Sequence, residues 1–128
     1  MEKNDRSTHI IQSNEQLGEV QIADEVVAII AGLAATEVEG VASMAGGHTP
    51  KDFASRLGVK NMSKGVKVDV LERIVTVSVA LNLKYGYSVL DISKKVQAKV
   101  KAAIENMTGL TVADVNVRVA GVALPANE

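Results

Sequence analysis

The chain has no cysteine and no tryptophan, and only one phenylalanine, two tyrosines and two prolines among its 128 residues. Without cysteine there is no disulfide, no thiolate nucleophile, no CxxC redox pair and no thiolate metal site, a pattern compatible with the cytosol. With so few aromatics the core must be packed from Val, Ile, Leu and Ala. Charge of one sign is also missing. Fourteen basic residues face fifteen acidic ones, for a net charge of -1 and a pI near 6.1, so no broad cationic field gathers the phosphates of a nucleic acid. Nowhere do ~18 apolar residues run together without charge, as a transmembrane helix requires. The start, MEKNDRSTHIIQSNEQ, lacks the apolar run of a signal peptide. These absences set the expectation of a cytoplasmic protein with one domain, large enough to bury about two-thirds of its unfolded surface.

What is present is alternation and helical period. Residues 1 to about 16 are expected to be a disordered polar arm, 17–122 a single α+β domain, and 123–128 a tail. Glu19–Ile22 alternates as a short strand. A helix then starts with Asp24 and Glu25 at its positive end and runs to about Val38, before Gly40. Val41–Ala45 is a weak strand. Residues 46–64 form an inserted loop with a short helix over Pro50–Leu57, where Thr49 suits a cap and Gly58 an end; the loop is either a surface excursion or a recognition element anchored by Phe53.

VKVDV (66–70) and IVTVSVALNL (74–83) alternate as a hairpin. Ser88 and Asp91 then resemble a capping box that opens a helix from Val89 to Met107, stopped by Gly109. Its apolar positions are Val89, Ile92, Val96, Val100, Ala103, Ile104 and Met107, and Lys94, Lys95, Lys99 and Lys101 lie off that face, with Asp91 and Lys95 spaced as a pair. ADVNVRV, the last strand, sets Ala113, Val115, Val117 and Val119 on one side. The order β-α-β-β-β-α-β implies a two-layer α+β sandwich, with two helices on one face of a mixed sheet.

Chemistry is sparse. His9 falls in the arm and His48 in the loop, neither with an ordered neighbour suggested by spacing. There is no GxSxG, AGGHT lacks the GK[ST] ending of a phosphate loop, and no GxxG occurs. The strands offer no Phe or Tyr on which bases stack. Gly86, Tyr87 and Ser88 precede a helix whose amides can hold an anion, so they form a candidate anion site, though a turn and cap is the simpler account of them. Asp24 and Glu25 point apart on the helix. No enzyme, cofactor, metal or nucleic acid partner is expected.

Taken in order, GEVQIADEVVAIIAGLAATEVEGV, GVKVDV, VALNLKYGYSVLDISKKVQAKVKAAIENMTGL and VNVRVAGV resemble the alkaline-shock and general-stress family of Gram-positive bacteria, also called the envelope stress response family. The resemblance spans Gly18 to Val122. It implies a non-enzymatic cytoplasmic scaffold in cell-envelope stress and homeostasis, acting by self-association and protein binding, with a membrane-anchored partner placing it at the inner face of the cell membrane. It also implies, for some branches, a link to control of lipid synthesis. A different class, a domain that senses an anionic metabolite at Gly86–Ser88, stands beside it.

At 100° per residue the first helix carries Ile22, Val26, Ile29, Ile30 and Leu33 toward a sheet, and Val27, Ala31, Ala34 and Val38 toward the second helix. Ala28, Gly32 and Ala35 remain, an uncharged strip expected at the surface. Glycine inside a helix costs about 1 kcal/mol relative to alanine, so the strip is a candidate interaction surface, with Phe53 a second one.

Overall fold

The computed structural model describes residues 8–14, 17–46 and 64–125. The helix expected over Pro50–Leu57, together with His48 and Phe53, lies outside the described residues. The elements are β1 (Thr8–Asn14), β2 (Gly18–Ala23), α1 (Asp24–Thr36), β3 (Val41–Met44), β4 (Val66–Leu71), β5 (Ile74–Lys84), α2 (Val89–Thr108) and β6 (Thr111–Ala123). The α+β class and the helix-on-sheet layering follow the expectation.

Strand β5 is the centre of a four-stranded mixed sheet. β6 runs parallel to it from Ile74↔Thr111 to Lys84↔Ala123. On its other edge β3 and β4 both pair antiparallel, one after the other: Val41 and Met44 oppose Leu83 and Leu81, and Val66 to Leu71 oppose Val79 to Ile74. The joint falls at Ala80, whose carbonyl accepts from Ala45 N at 2.8 Å and whose N–H donates to Gly65 O at 2.8 Å. β3 and β4 are therefore two parts of one edge, and residues 47–63 are inserted at its midpoint. Gly65 makes the joint possible. Its φ is +80°, and a Cβ there would stand 2.8 Å from Ala45 O and 3.0 Å from Ala80 O, both backbone atoms.

The β4–β5 turn is just Glu72 and Arg73, both at positive φ, the two-residue geometry that matches strand twist. Neither is glycine, so the turn is strained and held from outside. Thr111 N donates to Arg73 O, and the Arg73 guanidinium donates to Ile11 O at 2.9 Å.

Val75, Val77, Val79, Leu81 and Leu83 of β5 are buried beneath the helices. Each such side chain contributes about 1.5–3 kcal/mol by leaving water. In α2 the buried positions recur every fourth residue, Ile92, Val96, Val100, Ile104 and Thr108. Thr108 is tolerated because its hydroxyl donates to Ile104 O and accepts from Leu110 N. Ser88 caps the helix by accepting from Asp91 N, and Gly109 ends it at φ +79°. Met107 and Val89, expected on the buried face, are exposed, because the four-residue repeat places them off it.

Three further expectations are corrected. Thr8–Asn14 is a strand, not part of a disordered arm. It pairs antiparallel with β2 in a separate two-stranded sheet, where a register shift between Ile10 and Gln12 lets Ile11 pack on the core while Ile10 stays exposed. On α1, Val26 and Leu33 are exposed while Ala28, Gly32 and Ala35 are buried. The helix packs against both the sheet and α2, with Ala31, Ala34 and Ala35 in the core cluster and Ala28 and Gly32 buried as well. On β6, a register shift between Val112 and Asp114 buries Val112 and leaves Ala113 outside the core, because a bulge reverses the two-residue alternation.

Gly65→Ala is expected to destabilise the fold by about 1–3 kcal/mol, since the added methyl meets two carbonyls in a left-handed backbone; urea denaturation measures it, with the neighbouring exposed Lys64→Ala as the silent control.

Candidate functional site

The residues first considered for chemistry are distributed rather than gathered. His9 does have an ordered neighbour, contrary to the expectation from spacing: its Nε2 lies 2.5 Å from Asp24 Oδ1, tying β1 to the first turn of α1. Among the described residues the pair has no further side-chain partner. Glu37 pairs with Lys99 across the helices at 3.3 Å, and Lys101 pairs with Glu105, whereas Asp91 and Lys95 form no ion pair among the described residues. No described group of three His, Asp or Glu side chains is placed to hold a metal.

Gly86–Ser88 form a turn and cap. Gly86 has φ +99° and Ser88 caps α2. The Tyr87 hydroxyl donates to Glu39 Oε2 at 3.2 Å, and that carboxylate raises the phenol's pKa, first through the hydrogen bond and then through its charge. A bound anion would meet Glu39 and Asp91 there, so the electrostatics of this turn oppose one.

The same turn builds a different feature. A Cβ on Gly40 would lie 2.8 Å from the Tyr87 ring and 2.7 Å from Ile92 Cδ1, so the ring packs directly on the backbone between α1 and β3. Lys84 N donates to Gly40 O and Tyr85 N donates to Ala123 O, which draws the ends of β5 and β6 to the same place. The outcome is a fixed end of the sheet where Tyr85, Tyr87 and Leu124 are exposed around one hollow, and Val89, Leu90 and Val122, close to them in sequence, are exposed as well. A shallow hollow of about 410 Å³ lies between Ala42, Lys84, Tyr85, Tyr87 and Ala123–Pro125. Clustered exposed apolar side chains on a rigid frame mark a contact surface more than scattered ones do. Sequence reasoning missed it. The signal available was the YGYSVL run next to a helix start, with Leu90 left outside the helical stripe.

A second feature lies along the seam between α2 and β6. Glu105 Oε2 accepts from Val112 N at 2.9 Å and from Lys101 Nζ at 3.1 Å, Lys101 Nζ also donates to Val112 O at 3.3 Å, and Gln97 Nε2 donates to Val115 O at 3.0 Å. The helix thus satisfies backbone groups on the outer edge of β6. Donation from Val112 N, then from Lys101, holds the Glu105 carboxyl below its ordinary value of 4.5.

Residues 12–124 match the alkaline-shock protein 23 family, whose function is cell envelope-related, and the chain belongs to that family. Within it the chain is 38% identical over 106 residues to YqhY of Bacillus subtilis, covering 83% of this chain and 78% of that one. It is 28% identical over 102 residues to a stress response regulator gls24 homolog of Streptococcus pyogenes, covering 80% of this chain and 57% of that protein. The resemblance to stress and envelope proteins of Gram-positive bacteria is therefore real. Among solved structures, a MamM CTD variant aligns with a TM-score of 0.47 at 14% identity, over 77% of this chain and 94% of that one. No described helix is long and apolar enough to cross a membrane.

Because the folded-state pKa of Glu105 is depressed, its stabilisation is fully present above the ordinary carboxylate value and is lost as acidification carries the pH down through the folded value. Glu105→Gln is expected to melt below wild type near neutral pH, and the gap is expected to close as the pH falls below about 4. Thermal melts followed by circular dichroism across pH 7 to 3 measure this; a gap independent of pH would exclude the ionised carboxylate as its source.

Proposed function

We propose that the chain is a non-catalytic protein-binding module in cell-envelope stress and homeostasis, working by self-association and by docking other proteins at the inner face of the membrane. The observation that carries this reading is the apolar end of the sheet. Tyr85 and Tyr87 are held there by a turn bonded to Ala123 and packed on Gly40, the kind of preorganised anchors from which protein interfaces draw most of their affinity. Family membership supplies the cellular setting, since the family's function is cell envelope-related. Involvement in the control of lipid synthesis belongs to the same proposal as the consequence of which partner docks.

Replacing exposed residues with charge at the anchor tests it. With Leu90→Lys and Leu124→Lys combined, assembly seen by light scattering and capture of cross-linked partners from a Gram-positive host are expected to fall by about ten-fold or more. The melting temperature should hold, because both side chains are exposed. The reading would be overturned by a wild-type chain that stays monomeric at high micromolar concentration and captures no more protein than the doubly substituted chain does.

A further inference from the structure

The outer edge of β6 is half closed and half open. This strand is thirteen residues long and, among the described residues, pairs only with β5. Over Val112 to Val115 its outward backbone groups are occupied by Glu105, Lys101 and Gln97 of α2. From Val117 to Ala123 no side chain caps that edge among the described residues. An uncapped edge presents a row of N–H and C=O groups that another extended chain can extend.

The helix beside this edge is also shaped for a strand. Lys94, Gln97, Ala98 and Lys101 follow one another at helical spacing along one face and, with β6 residues 112–116, line a groove of about 470 Å³. Leu90, one turn earlier on that face, is exposed. α2 runs from the Tyr85 end of the sheet toward the start of β6, so the groove follows the capped stretch and ends at Lys94 and Asn116, where the open stretch begins.

We infer that the open half of the β6 edge takes an extended, acidic segment of a partner protein as an added strand, running between β6 and the Leu90–Lys94 face of α2. This rests on the protein-binding reading above and names the form and charge of what is bound. The occupant follows from two observations. The free groups are backbone donors and acceptors, which an extended segment matches and a helix, whose own groups are used internally, does not. Of the charged side chains along this seam, Lys101 is paired with Glu105, Asp114 stands on the capped stretch, and Lys94 and Arg118 are in no ion pair among the described residues, cations that favour carboxylates.

The test uses the full chain, labelled with nitrogen-15 and titrated with defined peptides of about eight residues: alternating valine and glutamate, alternating valine and lysine, and the glutamate peptide with proline at every second position, which removes backbone donors. The valine–glutamate peptide is expected to shift the amides of residues 116–123 saturably and to slow their hydrogen exchange. The lysine and proline peptides are expected to bind at least about ten-fold more weakly, and Lys94→Glu, an exposed change, to weaken the glutamate peptide about ten-fold while strengthening the lysine peptide. Arg118→Ala is the second substitution, with a smaller loss in the same direction. Equal shifts with all three peptides, or shifts confined to other elements, would sink the inference. So would shifts in the same amides that grow with protein concentration alone, which would make the occupant a second copy. Any of these results with the loss of capture by Leu90→Lys/Leu124→Lys intact would leave the protein-binding reading standing.

Discussion

Strand β5 is bonded along both edges for its whole length, and the other elements take their places from that constraint. Its parallel partner β6 requires a crossover, and α2 is that crossover, so α2 must lie on the sheet face that Val75 to Leu83 make apolar. Its antiparallel partners β3 and β4 share a single edge and meet at Ala80, so the connection between them leaves and re-enters at one point without altering the register on either side. The arrangement explains how an insertion of 17 residues, 47–63, is compatible with a sheet this small. The ladder on each side is fixed by its own pairs, and Gly65 lets two backbones meet where a side chain would part them.

With the sheet fixed, the helices are forced close. α1 must pack against both the sheet and α2, and the residues that allow this are small: Ala28, Ala31, Gly32, Ala34 and Ala35 are buried. Seen on a helical wheel the Ala28–Gly32–Ala35 strip looks unclaimed. In the folded chain it is internal, and it is Val26 and Leu33 that reach solvent.

Much of this was legible in the sequence. The strict alternation of 66–70 and 74–83, the Ser88 cap and the Gly109 stop each act locally, and local rules placed them. The parts that were not legible depend on contacts far apart in sequence. Strand β1 has one apolar pair, Ile10 and Ile11, and becomes a strand through pairing with β2 and through Arg73, 62 residues from Ile11. The bulge in β6 reverses which of Val112 and Ala113 is buried, and no two-residue pattern encodes it. Which face of α1 turns inward is decided by two neighbours together. The apolar end of the sheet was hidden for a related reason: Tyr85, Leu90, Val122 and Leu124 come from three separate segments, and each alone reads as an ordinary exposed residue.

What this fold offers a partner is backbone and apolar surface in fixed positions rather than a group that exchanges protons. Several ionised side chains are used internally. Glu105 and Lys101 close one half of the β6 edge, Glu39 holds Tyr87 on Gly40, and Asp24 anchors His9. A helix that caps the edge only as far as Val115 leaves the remainder without a side-chain cap among the described residues, and that remainder ends at Ala123, whose carbonyl accepts from Tyr85 N. Two surfaces that sequence order keeps apart, a strand edge and an apolar cluster, are thus made contiguous by the β5–α2–β6 crossover. In the binding role proposed above, the crossover which completes the sheet also builds the place where another chain would extend it.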